Sequence, residues 1–320
     1  MKLLTCLLVF VTTQPPGVVE QDNSQTRTSE AQRSNRRRQR DQRREYNPRL
    51  PKGFASELDV EYARVGEISL TMDVFFPVAS EKDRPLVIWI HGGGWRAGNK
   101  RPCPALRLLN QGFVVASIDY RLTGEAIFPA QIFDCKAAIR YLRTNADTYR
   151  IDQQRIGVWG SSAGGHLASL LGTSGDVEDL EGNVGAMGTS SRVQAVCDFF
   201  GPTDLLQMDA HAIPGAKLKH DAPNSPEAAL IGGPIQDFPK QAARANPIQY
   251  VSPDDPPFLI VHGDQDPLVP HHQSEIFAKA LRDGGVEMTF HTVVGGKHGF
   301  GRNQKIDEKV DEFFRRCLRP

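Results

Sequence analysis

Cysteine is scarce in this chain: five residues in 320, none of them spaced as Cys-x-x-Cys. That spacing is what a thiolate zinc site or a dithiol redox motif needs, so neither is expected. Beyond Cys6, the thiols Cys103, Cys135, Cys197 and Cys317 fall in apolar or amphipathic segments and read as small buried side chains. An excess of charge is also missing. The 38 basic and 38 acidic side chains cancel, which removes the electrostatic reason to expect a nucleic-acid partner. Nor is there an apolar run of the roughly 20 residues that a membrane-spanning helix requires. Residues 3–11, behind Lys2, are apolar but much shorter. They match the core of a signal peptide, read here as residues 1–13, and no stable membrane insertion is expected. The expected location is secreted or periplasmic, with cytoplasmic as the alternative.

Large apolar side chains are then nearly absent until Tyr46, while Gln, Ser and Asn abound and eight arginines crowd between Arg27 and Arg44. Residues 14–56 cannot bury enough surface to offset their ordering entropy, and are expected to form a disordered linker. Residues 57–320 are long enough for one domain with a large core. No internal repeat divides them.

Within that domain, apolar strand-like runs alternate with helical spacings. Residues 57–64 and 67–76 read as antiparallel first strands, followed by strands at 85–90, 113–118, 156–159, 193–200, 257–262 and 287–294. Helices are expected at 105–111, 131–142, 166–171, 272–283 and 305–317. Such alternation implies an α/β fold with a mainly parallel sheet covered by helices. Residues 202–255 are rich in Pro, Asp, Ala and Gly and fall between two core strands, where connections are normally short. They are expected to form a small cap.

The chemistry is concentrated at strand ends. Gly160-Ser161-Ser162-Ala163-Gly164 joins a strand to a helix, the setting of a nucleophile elbow that holds one hydroxyl clear of the backbone. Ser162 is the expected nucleophile. His91-Gly92-Gly93-Gly94-Trp95 follows the strand at 85–90, and its glycines allow backbone N–H groups to turn toward a carbonyl oxygen. Gly93, Gly94 and Ala163 are the expected oxyanion donors. A phosphate loop would close on Lys-Ser or Lys-Thr, and Trp95-Arg96 stands there instead.

For the base, His298 follows a late strand among glycines. For the acid, Asp264 and Asp266 share the loop after residue 262. Asp266, stiffened by Pro267, is preferred, with Asp264 bracing the turn. The order Ser162, Asp266, His298 is that of α/β-hydrolases. His91 is read as bracing the glycine loop, His166 as a packing residue, and His271 and His272 as surface residues. Trp95 and Tyr120 are the expected crevice walls. This chemistry calls for no metal or organic cofactor.

The motifs His91-Gly92-Gly93-Gly94-Trp95, Asp119-Tyr120-Arg121-Leu122, Ser162-Ala163-Gly164-Gly165-His166-Leu167-Ala168 and His262-Gly263-Asp264-Gln265-Asp266 together resemble the α/β-hydrolase esterases. The likeness is greatest to the bacterial group that includes bifunctional feruloyl and acetyl-xylan esterases, and it covers residues 57–317. Hormone-sensitive-lipase-like esterases are similar at a greater distance. They usually carry Asp where Ser161 stands and Asn where His166 stands. The resemblance implies a carboxylesterase acting on short or aromatic acyl esters, with a small-molecule or polysaccharide ester as its partner. The alternatives are an amidase of the kynurenine-formamidase type, a serine peptidase on the same fold, or a non-catalytic binding protein. The last would normally lack a member of the triad.

Overall fold

The computed structural model describes residues 46–319 apart from 81 and 217. The signal reading of residues 1–13, and the linker reading as far as residue 45, lie outside the described residues. The chain divides into Met1–Arg49 and a compact unit, Leu50–Pro320.

Strands form where β-branched and aromatic residues cluster. They are β1 (Phe54–Val65), β2 (Ile68–Pro77), β3 (Arg84–Ile90), β4 (Val114–Ile118), β5 (Ile151–Ser161), β6 (Ala195–Phe199), β7 (Phe258–Gly263) and β8 (Met288–Val293). They make one eight-stranded sheet in the order β1-β2-β4-β3-β5-β6-β7-β8. Only β2 runs against its neighbours; the pairs from β4 to β8 are parallel. Strands covered on both faces should be continuously apolar. In β3, every residue from Pro85 to Ile90 is buried.

The helices are α1 (Ala130–Thr144), α2 (Ala146–Tyr149), α3 (Ala163–Thr173), α4 (Glu178–Glu181), α5 (Pro226–Ile231), α6 (Pro239–Arg244), α7 (His272–Asp283) and α8 (Gln304–Leu318). Among the described residues, no helix is long and apolar enough to cross a membrane.

Three differences from the sequence reading stand out. β1 begins at Phe54, inside the stretch assigned to the linker, because Phe54 to Ser56 already pair with Pro77 to Phe75. Residues 104–111 form a 3-10 helix, closed as expected by Gly112, which is left-handed at φ 81°. β5 starts at Ile151, five residues before its apolar run, since Ile151 pairs with Arg84 at the start of β3.

The chain lays down β3 and β4, then returns to the other side of β3 for β5. Ligand crevices lie at such a switch point, beyond the strand carboxyl ends. The register pairs Ile90 with Gly160 and Ser161 with Phe199, so the loops after β3, β5 and β6 emerge side by side. Residues 202–255 contain only short helices: α5 and α6, six residues each, and 3-10 turns.

Candidate active site

Ser162 sits at φ 56° and ψ −122°, a conformation that costs a non-glycine residue free energy and persists only where its surroundings impose it. Its N–H is held by the Phe199 carbonyl at 2.8 Å and its carbonyl by the His166 N–H at 3.0 Å. The turn is tight on the β3 side too. A Cβ on Gly164 would lie 2.1 Å from the carbonyl oxygen of Ile90.

The glycine loop after β3 folds back on itself. The Gly93 carbonyl accepts from the N–H groups of both Arg96 and Ala97, at 3.1 Å. Gly93 adopts φ 113°, and a Cβ there would meet the Ala97 carbonyl oxygen at 2.1 Å. Two rings support the loop. Nδ1 of His91 lies 2.7 Å from the Gly92 carbonyl, and its ring stacks on Tyr120 at 4.4 Å. Burial pushes the His91 pKa down, so the ring is neutral near pH 7. Among the described residues, the N–H groups of Gly93, Gly94 and Ala163 donate to no backbone carbonyl. Ala163 opens α3, where N–H groups lack helical partners.

Of the two carboxylates in the loop after β7, it is Asp266 that reaches His298: Oδ2 lies 2.7 Å from Nδ1. The same oxygen faces Nε2 of His262 at 3.2 Å, while Oδ1 accepts from the N–H groups of Leu268 and Val269 at 2.8 and 3.0 Å. Burial raises the Asp266 pKa, but bonds from His262 and His298 and the charge of His298 outweigh it and hold the carboxyl well below the usual range. Asp264 does something else: its Oδ1 accepts from the Gly295 N–H at 2.7 Å and ties the loop after β7 to the loop after β8.

Ser162, His298 and the glycine loop meet in one cavity of about 460 Å³. It is lined by the loop from Gly92 to Arg96, by Ser161, Ser162 and Ala163, and by His298. No hydrogen bond joins the Ser162 hydroxyl to His298 among the described residues. In free enzymes such contacts are often long and close when substrate binds.

A profile of the family described as BD-FAE matches residues 72–281, which include the glycine loop, the elbow and Asp266. The chain belongs to the BD-FAE family. Solved structures similar to this BD-FAE member include a truncated carbohydrate esterase from gut microbiota, 36% identical with a TM-score of 0.75, matched over 85% of this chain and 99% of that one. Another is a bifunctional GH43-CE from Bacteroides eggerthii, 41% identical with a TM-score of 0.73, over 82% of this chain and 38% of that one. Esterase LipQ of Mycobacterium tuberculosis is 31% identical, over 81% of this chain and 62% of its own length. The chain spans only about half to three-fifths of the curated relatives it matches first.

Against this family frame, two aromatic expectations separate. Trp95 lines the cavity while packing edge-on against His166 at 5.1 Å. Tyr120 does not line it: buried beneath the loop, it donates to the His91 carbonyl at 3.0 Å, because its stack on His91 draws the ring inward. His271 is likewise not a plain surface residue. It is half-buried, with Nε2 3.0 Å from the Thr292 hydroxyl. His166 reaches the 202–255 segment through the Ala245 carbonyl at 2.6 Å, and burial pushes its pKa down to about 4. The sequence reading missed His262 as the second partner of Asp266, and Phe200, His220 and Glu227 as cavity walls. Only His262 carried a signal, as a polar residue closing an apolar strand. All four described cysteines are free, Cys317 half-buried and the other three buried.

Proposed function

We propose that this protein is a serine carboxylesterase that works through an acyl-enzyme on short or aromatic acyl esters of carbohydrates. The observation that carries this reading is the cavity shared by the strained Ser162, the unpaired N–H groups of Gly93, Gly94 and Ala163, and a His298 already bonded to Asp266. Nε2 of His298 takes the proton of Ser162 as its oxygen attacks the ester carbonyl. Asp266 keeps the hydrogen on Nδ1 and stabilises the imidazolium. The three N–H groups receive the oxyanion, the proton passes to the departing alcohol, and water then hydrolyses the acyl-serine by the same route.

Two features support the substrate class besides the carbohydrate esterase among the similar structures. The cap helices have six residues each, too few to line a tunnel for a long chain. Beside Ser161 lies a second cavity of about 760 Å³, walled by Trp89, Trp159, Phe199 and Phe300, of a size and character that suit an aromatic acyl group.

The test is labelling with a serine-directed phosphonate together with a panel of esters. Ser162 takes the label, and Ser162→Ala loses it along with activity on the order of 10⁴-fold or more. Across nitrophenyl esters, kcat/KM peaks between acetyl and butyryl. A tunnel would instead add about 0.8 kcal/mol for each methylene buried. Labelling at Ser161, or a steady rise through decanoyl, would overturn the reading.

A further inference from the structure

The cap brings a second ionisable pair to the wall of the same cavity. Glu227, in the first turn of α5, and His220, in the loop before it, both line that wall and neither takes part in the steps above. Their side chains are 4% and 2% exposed. Nδ1 of His220 lies 3.0 Å from Oε1 of Glu227, off the line of a well-directed hydrogen bond. Oε2 of Glu227 has no partner among the described residues.

A buried carboxylate oxygen left without a donor is costly, because it has given up water and gained nothing. The cost is sustained by a rigid setting. Arg96, from the glycine loop, donates to the Asn224 carbonyl at 2.5 Å and to the Ser225 carbonyl, immediately ahead of α5. The Ser225 hydroxyl caps α5 by accepting from the Ala228 N–H at 2.9 Å. The loop that presents the oxyanion donors is therefore latched to the element that presents Glu227.

The charge of the pair narrows what the Glu227 carboxylate can take. Burial disfavours the charged imidazole of His220, but Glu227, then Asp209 and the Leu268 carbonyl, outweigh it and hold its pKa above the ordinary value. A cationic donor approaching Glu227 would compete with a histidine whose charged form its surroundings favour. A neutral hydroxyl would not.

We propose that the Glu227 carboxylate accepts a hydrogen bond from a hydroxyl of the substrate's alcohol portion, so that the cap forms a polyol-recognising subsite beside Ser162. This rests on the reading of Ser162 as the nucleophile of a carbohydrate esterase.

The experiment compares two acetyl esters that would acylate the same serine, a methyl acetyl-xyloside and 4-nitrophenyl acetate, with full-length wild type and Glu227→Gln. Only the xyloside ester carries ring hydroxyls. The expected result is a fall of about 10- to 100-fold in the ratio of kcat/KM, xyloside over nitrophenyl ester, with the melting temperature measured alongside. Equal losses on both esters would mark the pair as merely structural and overturn the subsite, as would no loss on either. If the variant does not fold, wild type answers alone. Deoxygenating the xyloside ester one position at a time lowers kcat/KM at least tenfold at one position, and a flat series overturns the subsite. A wild type that cleaves nitrophenyl acetate but no sugar ester removes the subsite and leaves ester hydrolysis standing. One that cleaves neither removes both.

Discussion

Asp266 accepts from two imidazoles and two backbone N–H groups, which occupies both of its oxygens. An amide in its place would turn an acceptor into a donor toward His298, and the imidazole would lose the tautomer that leaves Nε2 free to take a proton. Asp266→Asn is expected to fold yet to lose turnover on the order of 10⁴-fold. Asp264→Asn keeps an oxygen for the Gly295 N–H, and is expected to lower stability by about 1 kcal/mol with less than a tenfold change in rate. Ester kinetics and urea melts on the two variants separate these outcomes, and a reversed order would move the acid to Asp264. That Asp266 and not Asp264 would reach His298 was legible in the sequence, because Pro267 marked the stiffer of two positions in one loop. The sequence could not reveal His220 and Glu227, which meet the cavity only through the path of residues 202–255 and show no spacing that pairs them.

At the scale of elements, β6 and α3 are joined through a carboxyl that is fully buried. Asp198 Oδ1 accepts from the Gly201 N–H at 2.9 Å and Oδ2 from the Ser169 hydroxyl at 3.1 Å. Burial nevertheless dominates and raises its pKa to about 6 from 3.8. Because the folded value lies above the unfolded one, the stability it contributes is complete below about pH 4 and is lost as pH rises through 6. The difference amounts to about 3 kcal/mol. Asp198→Asn keeps both neighbours and does not titrate. Its stability relative to wild type should therefore climb by about that amount between pH 4 and 7 in urea unfolding, whereas a constant offset would contradict this account. Long periodic elements were legible in the sequence, and α7 matches its expected bounds of 272–283. Boundaries set by pairing were not. β5 extends back to Ile151 because β3 offers a partner there, although its own residues 152–155 are polar or charged.

Across the whole molecule, the site is assembled from loops that leave the sheet at five places, and those places are not equally supported. β3, β5, β6 and β7 each lie between two strands, while β8 is bordered by β7 alone. Every residue of β7 is buried, but β8 has none that is fully so. The order of strands follows from crossover connections that no local pattern encodes, which is why this asymmetry was not legible beforehand. Its consequence concerns heat. His298 follows an edge strand, so the first cooperative segment to open on warming should be the one that carries it, while Ser162 stays in place at the end of a strand flanked on both sides. Activity is then expected to disappear reversibly several degrees below the collapse of the circular-dichroism signal, with amide exchange faster along β8 than along β5. Coincident loss of activity and structure would mean that the edge is held as firmly as the centre. Otherwise this protein carries its own thermal fuse, tripping at the sheet's margin before the core is at risk.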